Sequence, residues 1–483
     1  MTWTHLKQAK WFDNADQAVD YIHKLYNDSV TQICSAFEHF VKHGKAPNNY
    51  EKGSCYPFIG LSITHDNLFV DPSFAYGVIS EPGNYGSTVT TPELFDQYYR
   101  EQISLIIERH KVPVVVGYSD WPIPLPFVIE HTKSQFDVDG LARLQSKFVL
   151  PDLKRINDEY ANATLVLGNY RPLALFSGER VDFSLQRLHH YTGTAPKNFQ
   201  NFVLLTNYQR YVDEFITHVS NLIVQNKNED WELIGPGETV LASNKRKTSE
   251  LPQHLPQMPT YHFRKANRNG ITFVNIGVGP SNAKTITDHI AVLRPHCWLM
   301  LGHCAGLRAS QTLGDYVLAD GYVREDHVLD GDLPNWVPIP PIAEIQQSLQ
   351  QAVLHVIGKR EGELKSAIRT GTVLTTDNRN WELQSAALYE RFRQSRAIAV
   401  DMESATIAAN GFRFRVPYGT LLCVSDKPIH GVIKLQAMAN DFYRNRIHQH
   451  LHVGIEAMYI LQAMDPQRLH SRKLRGFDEC PFR

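Results

Sequence analysis

The sequence predicts an α/β protein in two parts. Residues 1–178 read as an α+β domain, and residues 179–483 as a domain with a central, mostly parallel sheet flanked by helices. Three observations carry this. From about residue 200 onward, short apolar runs alternate with amphipathic segments of helical period, the pattern of strand–helix–strand units. Before that point the order is different: one long helical pattern, then strand-like pieces broken by Gly and Pro turns. And 483 residues exceed what a single core ordinarily fills.

The first part opens with a helix over 14–44. Val19, Ile22, Tyr26, Val30, Ile33, Phe37 and Phe40 recur at steps of three or four, and Gly44 supplies a stop. Strands are expected at 57–64 and 74–80. The Gly/Ser/Thr-rich stretch 81–93 reads as a loop leading into a helix with Thr91 as N-cap and Pro92 as its first residue. Strand and proline turns follow over 112–130.

In the second part, strands are expected at Phe202–Leu205, 271–277, 297–301, 315–323 and 371–377. Two more run into Asp401 and Asp426. Helices are expected at 208–225, 281–293, 341–357, 381–394, 403–412 and 436–463. The polar stretch 226–258 reads as a long insertion or lid, and Asn269-Gly270 as a hairpin turn.

Composition narrows the function classes. The chain is 43% apolar and 20% charged with a net charge of −1, which gives no electrostatic footprint for nucleic acid or an anionic membrane. No run of eighteen apolar residues is present, and the first residues lack the apolar core of a signal peptide. The six scattered cysteines read as free thiols in a reducing cytoplasm. Among 22 histidines, no HExxH or His/Cys spacing argues for a metal.

Five stations at strand ends carry candidate chemistry. TNYQR (206–210) places Arg210 just past a strand, where a guanidinium suits a phosphate or simply faces solvent. NIGVGPS (275–281) puts Gly277, Val278 and Gly279 before a helix start, either an anion-binding turn or a tight connection. LMLGHCAGL (299–307) offers His303 for polar contact with a ligand. GTVLTTDNRNW (371–381) ends in Thr375, Thr376, Arg379 and Trp381, where an aromatic ring can stack on a base or fill the core. AVDMESA (399–405) and LLCVSDKP (421–428) deliver Glu403 and Asp426. In an open α/β sheet, ligands bind at the carboxyl ends of the strands, so two acids there suggest one site with two jobs.

In order and approximate spacing, TNYQR, GVGPSNA, GHCAGL, VDMESA and VSDKP resemble the nucleoside phosphorylase and nucleosidase superfamily over residues 200–460. Arg180–Leu185, Leu188–Thr194, Asn275–Thr285 and Leu469–Arg475 extend the resemblance to nearly the whole chain. They point to a branch that carries an extra N-terminal domain and cleaves a nucleotide. The resemblance implies a nucleoside-phosphorylase-like catalytic domain that hydrolyses AMP to adenine and ribose 5-phosphate. It implies that Glu403 holds the ribose 2′- and 3′-hydroxyls, with Met402 packed on the sugar. Asp426, beside Ser425, would protonate N7 of the purine. The loop from Thr375 to Trp381 would border the base, and Arg210 and His190 would lie toward the 5′-phosphate. It further implies a homohexamer, no cofactor for the chemistry, and Mg-ATP as an allosteric activator acting through the N-terminal domain. One departure bears on the nucleophile. Met300 stands where the phosphorylases carry an arginine for the attacking phosphate, which favours water. The alternatives are a phosphorylase or nucleosidase of unphosphorylated nucleosides, and a nucleotide sensor without catalysis.

Overall fold

The computed structural model describes residues 3–44, 54–71, 73–129, 147–166, 168–433, 436–476 and 479–483, without the side chains of 436–445. Position 130, the end of the expected strand-and-turn stretch, lies outside them. The chain forms two compact units, Met1–Gln186 with Phe477–Arg483, and Arg187–Gly476. The division therefore falls within a helix, and the C-terminal segment returns to the first unit.

The first unit is a four-stranded antiparallel sheet of β1 (Lys7–Phe12), β2 (Cys55–Ile63), β3 (Gly83–Thr88) and β4 (Val114–Pro122), in the order β1-β4-β2-β3. Helix α1 (Ala15–His43) packs on β2 and β4, and α2 (Pro92–His110) packs on α1. Helix α1 forms as its period dictates. Ile22, Leu25, Ile33, Phe37 and Phe40 are buried on one face. Asn14 accepts the Gln17 N–H at its start, and Gly44 turns left-handed (φ 66°) at its end.

Two expectations fail here. Residues 74–80 form no strand; the strand lies at 83–88, inside the stretch read as a loop. Its glycine is a packing site, because a Cβ on Gly86 would sit 2.3 Å from Phe58 Cζ. Thr91 stands at the N-cap position of α2 as expected, but in a left-handed conformation (φ 41°) and without a side-chain capping bond. Its hydroxyl instead donates to Asp182 Oδ1 at 3.3 Å.

The second unit begins in α3 (Gly178–Thr192) and is built on a ten-stranded sheet. In chain order its elements are β5 (Phe202–Thr206), α4 (Gln209–Gln225), β6 (Glu232–Gly235), β7 (Thr239–Ser243), β8 (Thr260–Arg264), β9 (Ile271–Asn275) and α5 (Pro280–Ile290). Then come β10 (Cys297–Gly306), β11 (Tyr316–Glu325), α6 (Ala343–Ile357), β12 (Ile368–Thr376) and α7 (Ser385–Ser395). The last are β13 (Ala399–Asp401), α8 (Ser404–Phe414), β14 (Tyr418–Asp426) and α9 (Gln436–Gln462).

Strands β14-β10-β5-β9 run parallel, as do β11-β12-β13. The sheet is nevertheless mixed, because β8, β6 and β7 extend it as antiparallel strands. Part of the expected insertion at 226–258 is thus sheet edge. Asn269-Gly270 does close a hairpin between β8 and β9, but through a longer connection than a two-residue turn. Asn269 has φ −87°, and Gly270 is needed because a Cβ would lie 1.8 Å from the Phe263 carbonyl oxygen.

Strand β10 also runs longer than expected, through Gly306, and its end pairs antiparallel with β13. That pairing closes β10, β14, β11, β12 and β13 on themselves. Both faces are covered. Trp298 donates to the Ile407 carbonyl of α8 at 3.3 Å, while Leu301, of opposite parity along β10, packs against Gly454 of α9.

Candidate active site

The closed part of the sheet decides where the two acids stand. Ala305 of β10 pairs with Val400 on one side and with Asp426 on the other. Neighbouring strands lie about 4.8 Å apart, so the ends of β13 and β14 flank that of β10, roughly 10 Å from each other.

Past Val400 the chain turns sharply into α8. Asp401 makes the turn by capping the helix: its Oδ2 accepts the Ser404 N–H at 2.9 Å and the Ser404 hydroxyl. Its Oδ1 accepts the Thr375 hydroxyl at 2.6 Å, and Thr375 Oγ1 accepts the Ala405 N–H at 2.8 Å. This brace fixes Glu403, which is 1% exposed. Glu403 Oε1 accepts the Gly279 N–H at 2.6 Å, and Oε2 accepts the Asn207 amide at 2.9 Å. Three strand ends, those of β5, β9 and β13, therefore converge on one carboxyl group. Each Glu403 oxygen keeps capacity for a further donor, which is what a pair of sugar hydroxyls needs.

Burial raises the pKa of Glu403, and the neighbouring Asp401 raises it further; the two donors pull against this without cancelling it. Asp401 is raised too, again chiefly by burial. Across the strand end, Ser425 donates to Asp426 Oδ1 at 2.6 Å, and both residues are only partly buried. Lys427 then anchors the strand end, donating to the carbonyls of Ala309 at 2.9 Å and Gln311 at 2.6 Å.

The remaining expected residues divide. His303 lies within β10 rather than in a turn, against the rings of Tyr208 and Tyr211. It belongs to a chain of polar contacts: His303 Nε2 to Tyr211 O–H at 3.4 Å, Tyr211 O–H to His450 Nδ1 at 2.7 Å, and His450 Nε2 to the Leu421 carbonyl at 3.0 Å. The carbonyl can only accept, so His450 carries its proton on Nε2, and Tyr211 donates to Nδ1. Burial holds His450 neutral by lowering its pKa to about 4.

The turn at Gly277–Gly279 is partly satisfied by protein, unlike an open anion site. The Gly277 N–H donates to Asn275 Oδ1 at 3.1 Å, and the Gly279 N–H serves Glu403. Val278 is 40% exposed. Ser281 and Asn282, in the first turn of α5, are positions whose amides a helix leaves without intrahelical partners.

Thr375 is a brace, and Thr376 Oγ1 accepts the Asn378 N–H at 3.1 Å. Trp381 packs in an apolar cluster with Ala305, Leu374, Phe392 and Val400, edge-on to Phe392, so its ring fills core. Arg379 is exposed on the loop after β12. Arg210 is exposed at the start of α4, and His190 is exposed near the end of α3 beside Tyr191. Met402 is partly buried between the two acids of its turn. Met300 is fully buried in β10.

Sequence reasoning passed over Asn207, Asp401, Tyr211 and His450. The first two stood at strand ends and were open to recognition there. The last two needed the fold.

Residues 236–445 match the model of the phosphorylase superfamily. Residues 17–172 match the model described as the bacterial AMP nucleoside phosphorylase N-terminus. The AMP nucleosidases of Escherichia coli K12 and of Escherichia coli O157:H7 are each 47% identical to this chain over 474 residues, covering 97% of it and 98% of the relative. The chain belongs to the AMP nucleosidase family. The crystal structure of AMP nucleosidase from Bacteroides thetaiotaomicron VPI-5482 is 27% identical over 58% of this chain and 96% of that one, with a TM-score of 0.44.

Proposed function

We propose that, in the hydrolysis of AMP to adenine and ribose 5-phosphate, Glu403 binds the ribose and Asp426 protonates the purine. The observation that carries this division of labour is the pairing of Ala305 with Val400 on one side and Asp426 on the other. It brings the ends of the two acid-bearing strands to either side of one strand, which supports the reading that Glu403 and Asp426 serve one bound nucleotide. Adenine is a poor leaving group as an anion, and a proton on N7 lets it depart neutral. The cleaving sugar gains positive charge, which a carboxylate bonded to its hydroxyls stabilises. Water is the acceptor, a reading supported by the buried Met300, which gives inorganic phosphate no cation to hold it.

Around this pair, Met402 packs on the sugar and Ser425 orients Asp426. The loop after β12, with Arg379, borders the base. Arg210 takes the 5′-phosphate, and His190 reaches it in an assembled homohexamer. The first unit is the regulatory one and binds Mg-ATP. It holds a cavity of about 400 Å³ whose lining includes Trp121, Tyr170, Lys154 and Arg155, rings and cations suited to a nucleotide. Six free cysteines, five of them buried, suit a cytoplasmic setting, and no helix among the described residues is long and apolar enough to cross a membrane.

Adenine release from AMP and from adenosine, with and without phosphate, tests the reading. Asp426→Asn should lower turnover on AMP about 10²–10⁴-fold, the usual contribution of a positioned general acid, with little change in AMP affinity. Full activity in that variant removes Asp426 from the mechanism.

A further inference from the structure

Helices α4 and α9 pack side by side, and each presents two metal-ligating residues one turn apart. On α4 they are Glu214 and His218; on α9 they are His448 and His452. Residues four apart share a helix face, so each helix offers a two-ligand claw. The claws meet. His448 Nδ1 lies 2.6 Å from Glu214 Oε1. The ring of His452 lies 4.2 Å from that of His448 and 4.4 Å from that of His218, centre to centre. One ligand atom each from Glu214, His448 and His452 fall within 4.8 Å of one another.

We propose that Glu214, His218, His448 and His452 form a structural site for a divalent transition metal of the zinc class. Three imidazoles and one carboxylate are a borderline donor set suited to tetrahedral Zn²⁺, with bonds of about 2.0–2.1 Å and ligand atoms about 3.3 Å apart. The 4.8 Å spacing covers Glu214, His448 and His452; His218 joins them through its ring contact with His452, and His448, at 58% exposed, has room to turn toward an ion.

Two further observations point to a ligand here. His452 Nε2 is buried without any hydrogen-bond partner among the described residues, which costs free energy unless something binds it. A cavity of about 460 Å³, lined by Val356, Arg446, His448, Gln449 and His452, opens beside the cluster as an entry path. Arg446, the one cation among the described residues of that lining, points its guanidinium at Gln449 Oε1 at 3.1 Å. The same helices carry the contact between Tyr211 and His450, within one turn of the cluster, so an ion here would clamp the wall behind His303.

The test uses the full chain without a polyhistidine tag, stripped with a chelator. It is titrated with Zn²⁺ by calorimetry and with Co²⁺ by visible absorption, alongside Glu214→Gln and His448→Asn. Both substituted side chains are partly or largely exposed, so these variants should fold; their far-ultraviolet circular dichroism checks this. The proposal expects one equivalent per chain, tetrahedral Co²⁺ bands, and a Zn²⁺-dependent rise in Tm. It expects each variant to lose more than the roughly 10–100-fold in affinity that losing an outer-shell partner costs. A wild-type chain with no saturable equivalent overturns it, as do variants that bind Zn²⁺ as tightly as the wild type.

Discussion

Asn207 offers the sharpest single-residue test of how the site is built, because its side chain bonds directly to Glu403. Its amide donates to Glu403 Oε2 at 2.9 Å, while the Gly279 N–H holds the other oxygen. A hydrogen bond to a charged group contributes about 1.5–3 kcal/mol. At about 1.4 kcal/mol per tenfold, Asn207→Ala should lower kcat/KM for AMP roughly 10- to 150-fold. The pH dependence should move as well, and its sign is fixed. Burial already holds the Glu403 pKa above the ordinary range, so the carboxylate form fills in as pH rises through the raised value. Removing a donor to the carboxylate raises that pKa again. The ascending limb of kcat/KM against pH should therefore shift to higher pH in the variant, and Asn207→Asp, which adds a second negative charge, should shift it further. Steady-state adenine release across a pH series measures both effects. An Asn207→Ala enzyme with unchanged kcat/KM and an unmoved limb would refute the role assigned to Glu403's partners.

Two other outcomes follow from buried groups outside the chemistry. Asp182 is fully buried, and although Tyr56, Thr90 and Thr91 donate to it, desolvation raises its pKa to about 7. The folded first unit then binds a proton that the unfolded chain has lost, so its stability falls as pH rises from about 4 to 7. The fall is on the order of 4 kcal/mol in total, because each tenfold change in proton affinity on folding is worth about 1.4 kcal/mol. Asp182→Asn should abolish that slope in hydrogen exchange of the β2 amides, and an unchanged slope contradicts the assignment. Trp381→Ala should lower stability by about 3–5 kcal/mol, as for other large-to-small core changes, while KM for AMP stays near the wild-type value. A stable variant with a greatly raised KM would instead put the indole against the base.

Much of the second unit was legible because apolar runs and helical periods are local signals. Strands β5, β9, β12 and β14 and helices α4, α5, α8 and α9 all announced themselves that way. What escaped were long-range pairings. Strand β13 is three residues long, and its pairing with the end of β10, nearly a hundred positions earlier, has no sequence signature. Yet that pairing sets the end of β13, just before Glu403, against the strand that also pairs with Asp426. The edge strand β7 and its neighbour β6 hid because each is only four or five residues long and is set in a polar stretch. At the site, Glu403 and Asp426 were readable as acids at strand ends. Trp381 was not readable, since nothing local distinguishes a ring that stacks on a base from one that fills core. The His/Glu cluster shows the same limit: HxxxH at 448–452 and ExxxH at 214–218 are each common, and only packing of α4 on α9 unites them.

A complex with a non-hydrolysable AMP analogue would judge the central claim most directly. The account predicts Glu403 oxygens within hydrogen-bond distance of both ribose hydroxyls and the Asp426 carboxyl within reach of N7 of the same molecule. An analogue that touches one acid while the other faces protein or open solvent would contradict it.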